Sequence, residues 1–255
     1  MMDEMEPWEQ ADPAILRSIE YVLTDVDDTL TTDGRLFGMT IDALDRLHAA
    51  GVRIIPVTAA SAGWCNLMIH MLPIDAVIAE NGGLYFFRAA DGSIRKHGWA
   101  EDGHRQSIEA LRRHLMEVFP ALELADDMPY RETSLAFRRG GEDIDQAVVD
   151  LTHRLGAKAT VNSLWIICWI ANYDKLVMAY RMFEELYGIE SAQLKERILY
   201  VGDSQNDEPM FNFFHHAVGV ASVVEHPLRH WPRWVCKSRG GGGFIEVAER
   251  LLEAR

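Results

Sequence analysis

Short apolar runs rich in β-branched residues alternate along this chain with longer stretches of helical spacing, and that alternation restricts the fold more than any other feature. The runs are residues 21–24 (YVLT), 53–57 (RIIPV), 76–79 (AVIA), 198–201 (ILYV) and 217–221 (AVGVA). A strand that is apolar at nearly every position is buried on both faces, as in a parallel sheet covered by helices. Helical patterns occupy residues 40–50, 61–72 and 174–187, and Gly188 supplies a stop for the last. The pattern predicts an α/β fold with a doubly wound parallel sheet.

Residues 84–171 follow a different pattern. LYFFRAADGSIRKHGW reads as a hairpin turning at Asp91 and Gly92, followed by a helix over 101–119, the strand SLAFRR, a helix over 142–155 and the strand-like ATVNSLWIICWIA. This order predicts an α+β module inserted into the core, because core-type strands resume after it. The expected domains are therefore 1–83 plus 172–255 as the core and 84–171 as the insertion. Gly240 to Gly243 reads as a flexible turn before a C-terminal helix, and the acidic start MMDEMEPWEQADPAIL as a mobile lead-in without the marks of a secretory signal.

Composition excludes several roles. No uncharged apolar run approaches the roughly 18 residues of a membrane helix, so no membrane partner is expected. A formal charge of −14 argues against nucleic acid, whose phosphates demand a basic face. Cys65, Cys168 and Cys236 are too few and too scattered for a disulfide framework or a zinc site, which suits a reducing cytoplasm. Cys168, inside an apolar run, reads as a small buried hydrophobe.

Two acidic clusters stand where strands end. Asp25-Val26-Asp27-Asp28-Thr29 follows YVLT, and Gly202-Asp203-Ser204-Gln205-Asn206-Asp207 follows ILYV. In an open parallel sheet, ligands bind beyond the carboxyl ends of the strands. Gathering Asp25, Asp27, Asp203 and Asp207 there is costly unless some protonate or a cation binds, and oxygen ligands with open positions suit Mg²⁺. Thr58 closes RIIPV, and Lys175 opens a helix behind the candidate caps Asn172 and Asp174. A hydroxyl and an ammonium are what the oxygens of a transferring phosphoryl group need.

DVDDTL, a strand-end Thr, a Lys and GDSQNDEPM, in this order, resemble the four motifs of the haloacid dehalogenase superfamily. The position of the insertion, between Glu80-Asn81-Gly82-Gly83 and Lys175, resembles the branch with a large α/β cap, which includes Cof-like, sucrose-phosphate and trehalose-phosphate phosphatases and eukaryotic-type phosphomannomutase. The resemblance implies that Asp25 is a nucleophile forming an aspartyl phosphate and that Asp27 is its acid/base partner. It also implies that Asp25, the carbonyl of Asp27 and Asp203 hold Mg²⁺, that Thr58, Lys175 and Asn206 hold the phosphate, and that Asp207 orients its neighbours. The expected activity is Mg²⁺-dependent hydrolysis of a small phosphate ester such as a sugar phosphate.

Two positions depart from the pattern. Many relatives carry Gly-Arg after the threonine, where Ala59-Ala60 stands, and a glycine where Asp28 stands. Two other functions share these motifs. A phosphosugar mutase would grip a second phosphate with cap cations such as Arg131, Arg138 and Arg139, which otherwise read as a solvated strand edge. A non-catalytic phosphate-binding regulator would not need Asp25 and Asp27 together. Trp99, Trp165 and Trp169 read as sheet core rather than as sugar platforms.

Overall fold

The computed structural model describes residues 5–99, 104–162 and 164–255. Its centre is a six-stranded, all-parallel sheet in the order β1-β12-β11-β10-β2-β3. These strands are β1 (Glu6–Pro7), β2 (Tyr21–Thr24), β3 (Arg53–Pro56), β10 (Ile198–Gly202), β11 (His216–Gly219) and β12 (Trp234–Val235).

Successive side chains of a strand point to opposite faces, and both faces are dry. Val22, Ile54, Leu199 and Val218 pack on one side with α2 (Gly38–Ala49), α3 (Ala62–Met71) and α9 (Gly240–Glu253). Tyr21, Leu23, Ile55 and Tyr200 pack on the other with α6 (Lys175–Tyr187), α7 (Ser191–Arg197) and α8 (Glu208–Phe213). Burial of each such aliphatic side chain contributes about 2 kcal/mol, so the central strands are the stable frame on which the loops rest. No described helix is long and apolar enough to cross a membrane.

Four expectations need correction. Residues 5–18 are ordered against the core: β1 pairs with β12, Trp8 meets Trp234 edge-on, and α1 (Pro13–Ser18) is capped by Asp12. The apolar Trp8 and Leu16 outweigh the acidic composition there, while residues 1–4 lie outside the described set. Gly240 to Gly243 form the buried first turn of α9 rather than a free turn. A Cβ on Gly240 would lie 2.5 Å from the Thr31 carbonyl oxygen, so the glycines permit close approach to the loop after β2.

The third correction concerns β4 (Ala76–Ala79), which touches β3 through a single parallel bridge, Val57 to Ile78, and otherwise pairs antiparallel with β5 (Leu84–Arg88). The fourth follows from it. The hairpin of β5 and β6 (Ile94–Gly98), expected in the insertion, packs with the core because Leu84, Tyr85 and Phe86 enter the two core clusters.

Beyond residue 103, α4 (His104–Val118) and α5 (Glu142–Arg154) cover one face of the antiparallel sheet β7-β9-β8, made of β7 (Ser134–Arg138), β8 (Lys158–Val161) and β9 (Trp165–Trp169). The expected helix start at Glu101 and the strand residue Ser163 lie outside the described residues. Leu135, Phe137, Ile166 and Cys168 face the helices, whereas Ala136, Ile167 and Trp169 pack with Ala59 of the core. The module thus presents its open sheet face to the loops at the carboxyl ends of the parallel strands.

Candidate active site

Asp25 stands directly beyond β2, its amide held by the Val201 carbonyl at 2.8 Å. The chain then folds sharply, with the Val26 carbonyl accepting from the amides of Thr29, Leu30 and Thr31. Asp28 sits in this turn at φ 55°, a left-handed conformation that Asp tolerates better than most residues. That geometry accounts for a position where relatives prefer glycine.

Lys175, the first residue of α6, reaches from the opposite side. Asp174 caps the helix by accepting the Val177 amide at 2.9 Å, which fixes where the helix begins. The buried Nζ of Lys175 donates to Oδ1 of Asp25 and to Oδ1 of Asp207, both at 2.7 Å, and lies 3.4 Å from Oδ1 of Asn206. Burial by itself would lower the lysine pKa, but Asp207 and Asp25 outweigh it and hold the ammonium charged well above its ordinary range.

Asp207 is fully engaged. Its Oδ1 also accepts from the Tyr200 hydroxyl at 2.5 Å, and its Oδ2 accepts from the amides of Asp203 and Ser204 at 3.0 and 3.3 Å. Asp25, Asp203 and Asp207 offer oxygens within 4.8 Å of one another. Asp207 has no acceptor to spare, so a cation there would draw on Asp25 and Asp203. Among the described residues, Oδ2 of each of these two accepts no protein hydrogen bond, while Oδ1 of Asp203 takes the Thr29 hydroxyl at 3.3 Å. This all-oxygen donor set fits a hard divalent ion such as Mg²⁺.

Electrostatics point the same way. Burial pushes the Asp25 carboxyl well above the usual range against the pull of Lys175, with Asp207, Asp203 and Asp27 adding to the rise. Burial, then Asp207, pushes Asp203 up to about 8. Asp27 is also raised, chiefly by burial, which favours a protonated carboxyl able to donate. One ammonium does not compensate this cluster, and a bound cation would.

Thr58 sits at the end of the neighbouring strand, buried, with its Oγ1 accepting the Ala60 amide at 3.0 Å and its hydroxyl proton left to donate. The structure therefore brings Asp25, Lys175, Asn206 and Asp207 into direct contact and sets Asp203 beside them. Asp25, Asp27, Asp203 and Asn206 line one cavity of about 600 Å³ with Arg139 and Asn162 of the module opposite.

Several residues take roles that differ from their sequence reading or were not singled out by it. Arg131 is not a solvated edge residue: its guanidinium is 1% exposed, grips Asp127 with two nitrogens, and donates to the Ala59 carbonyl at 3.0 Å. It thereby reaches the loop where relatives carry their own arginine. Arg138 turns to Asp126 and Glu123, and Arg139 to the buried Asp145, so the three arginines do not converge.

Glu80 was also missed. It is fully buried at φ 51°, and its carboxylate accepts from the amides of Ala62, Glu132 and Thr133 and the hydroxyls of Thr133 and Ser134. An acid beside Asn81 and Gly82 at the end of an apolar strand was its only sequence signal. Trp169 is core as expected, whereas Trp165 borders an opening beside Asp27.

No family model matches the chain. Among curated proteins it is similar to the phosphoglycolate phosphatase of Archaeoglobus fulgidus, 28% identical over 231 residues, covering 90% of this chain and 96% of that protein. The phosphoglycolate phosphatase of Methanosarcina acetivorans is 24% identical over 243 residues, covering 90% and 95%. Among solved structures, a Thermoplasma acidophilum protein superposes with a TM-score of 0.72 at 21% identity over 93% of this chain and 99% of that one. A Bacteroides thetaiotaomicron phosphatase of the haloalkanoate dehalogenase superfamily gives 0.61 at 22% identity over 91% and 95%. The C-terminal domain of Candida albicans trehalose-6-phosphate phosphatase gives 0.67 at 13% over 94% and 96%. With both acidic clusters at their strand ends and an α+β module inserted over them, the chain is thus similar in sequence to phosphoglycolate phosphatases and shares the fold of cap-bearing hydrolases of the haloacid dehalogenase type.

Proposed function

We propose that the protein is a Mg²⁺-dependent phosphomonoester hydrolase acting on a small phosphate ester through an aspartyl-phosphate intermediate. The observation that carries this reading is the Asp25 carboxylate, held 2.7 Å from the Lys175 ammonium with Asp203 beside it and Asp27 two residues on. Asp25, Asp203 and the carbonyl of Asp27 are the residues that would hold the ion. Bound there, Mg²⁺ would neutralise the phosphoryl oxygens and the carboxylate cluster.

The chain's own groups account for the chemistry. An oxygen of Asp25 attacks phosphorus in line, forming a P–O bond as the ester P–O bond breaks. Asp27, raised toward its protonated form by burial, gives its proton to the departing alkoxide. Asp27 then takes a proton from water, whose oxygen attacks the phosphorus of the intermediate, releasing phosphate and restoring the Asp25 carboxylate. Lys175, Thr58 and Asn206 bind the phosphoryl oxygens, and Asp207 keeps Lys175 in place through its 2.7 Å bond.

The mutase alternative is less well supported, since it requires converging cap cations and two of the three candidate arginines are occupied elsewhere. Three buried free cysteines suit the cytoplasm. The test is phosphate release from a panel that includes 2-phosphoglycolate, named for the relatives, and hexose phosphates. Activity is expected with Mg²⁺, none with EDTA, and none in Asp25→Asn. Full turnover without metal, or in that variant, would refute the mechanism.

A further inference from the structure

Three large apolar side chains are left open to solvent on one face of α3. Trp64, Leu67 and Met71 are 57%, 57% and 72% exposed. At about 100° per residue, spacings of three and four set them within about 60° of one another around the axis. Ala62, Cys65 and Ile69 point the opposite way and are buried. The helix is therefore apolar on both sides, and only one side has a covering.

The stripe continues onto the cap. Tyr130, 61% exposed, packs so close to Gly63 that a Cβ there would lie 2.7 Å from its own, and Tyr130, Trp64 and Leu164 border one opening. Taking about 150–250 Å² for a whole side chain, the five residues offer about 500 Å² of apolar surface on each copy. The largest patch on a soluble monomer is about 300–600 Å² and often functional. Doubled across a pair, this one reaches the roughly 1,000 Å² that a specific interface needs.

Charge decides what covers this face. α3 carries no Asp, Glu, Lys or Arg, whereas every other α-helix among the described residues carries at least one. A surface helix normally sets charged side chains opposite its apolar stripe. With a net charge of −14, two copies of this chain repel in most orientations, and least where no charge faces the partner. The acids nearest Tyr130 are paired, Asp127 with Arg131 and Asp126 with Arg138. A basic partner would find no carboxylate on α3. An uncharged apolar stripe is complementary to itself, so a two-fold axis can set it against its own copy without a clash of charge.

We infer that the protein is a homodimer in which α3 packs against α3 of a second copy about a two-fold axis near Leu67, with Tyr130 and Leu164 toward the rim. The residue nearest such an axis meets its own counterpart, and Leu67 is the middle of the stripe. This contact is independent of the chemistry at Asp25.

The test is sedimentation equilibrium of the full chain at concentrations up to about 100 μM, where twice the mass of one chain is expected. Salt screens the repulsion between two acidic bodies, so the dimer should tighten as NaCl is raised. Leu67→Glu and Leu67→Lys should each raise the dimer dissociation constant at least tenfold with an unchanged far-UV circular dichroism spectrum, which separates loss of the apolar contact from a change in net charge. Because the three native cysteines are buried, mild oxidation of Leu67→Cys should link two chains, and the same treatment of Leu155→Cys, an exposed position at the end of α5, should not. A monomer at 100 μM overturns the inference, whether or not it sediments with phosphatidylcholine vesicles. So does a dimer that withstands both Leu67 changes, or one that weakens with salt.

Discussion

Glu80 of the core and Thr133 of the cap are joined twice, the Thr133 amide and hydroxyl donating to the same carboxylate oxygen at 2.8 and 3.0 Å. The other oxygen takes the amides of Ala62 and Glu132 at 3.0 and 2.8 Å, so one buried acid ties the loop after Thr58 to the cap. Glu80→Gln places an amide NH₂ against at least two of these donors. Each buried group left unsatisfied costs about 1–3 kcal/mol, which for a chain of this size lowers Tm by about 2–4 °C per kcal/mol. Thermal unfolding should show that loss, and kcat/KM should fall because the cap is less firmly set over Asp27.

Gly82 should tolerate no side chain. At φ 101° its Cβ would lie 2.2 Å from the Asp174 carbonyl and 3.2 Å from the Lys175 amide. Gly82→Ala must therefore move the start of α6, and with it the ammonium on Asp25. Steady-state assays should show kcat reduced at least tenfold, by the same logic that lets a misplacement of about 1 Å cost a hundredfold.

Lys175→Met keeps the length of the side chain but removes the cation between Asp25 and Asp207. Loss of one preorganised contact to a transferring group costs about a hundredfold to a thousandfold in kcat. Stopped assays should find a loss in that range, with the variant also unfolding at a lower temperature because buried carboxylates lose their partner. Unchanged kcat would remove Lys175 from the chemistry.

The cysteines give a pH prediction. Burial raises the thiols of Cys65 and Cys236 well above their ordinary range and pushes Cys168 up to about 11, against a slight opposing pull from Thr152. The unfolded chain ionises these thiols near pH 9 and the native chain does not. Their contribution is therefore complete below about pH 8.5 and is lost as pH climbs toward 11. Denaturant titrations at pH 8 and pH 10.5 should show the drop, and native protein at pH 8 should react slowly with thiol reagents.

Sequence alone carried the architecture wherever burial imposed a pattern. β2, β3 and β10 are apolar along nearly their whole length because helices cover both faces, and the acids that end β2 and β10 stand out against that background. The hairpin of β5 and β6 was legible as a hairpin, but not its docking on β4, since register between strands of unlike grammar depends on packing rather than on local spacing. The buried roles of Glu80 and Arg131 were not legible for a related reason. A buried charge declares itself through partners distant in sequence, here 52 residues from Glu80 to Glu132 and 72 from Arg131 to Ala59.

The placement of β2 between β3 and β10 also governs the order in which the protein is made. Its first neighbour follows within 30 residues, but its second, Ile198–Gly202, emerges from the ribosome only after the whole cap has been synthesised. Until then the strand that leads to Asp25 has one bare edge, while the cap, whose contacts are local, is free to fold. A chain interrupted between residues 57 and 197 therefore leaves an apolar strand edge open to pairing with another chain.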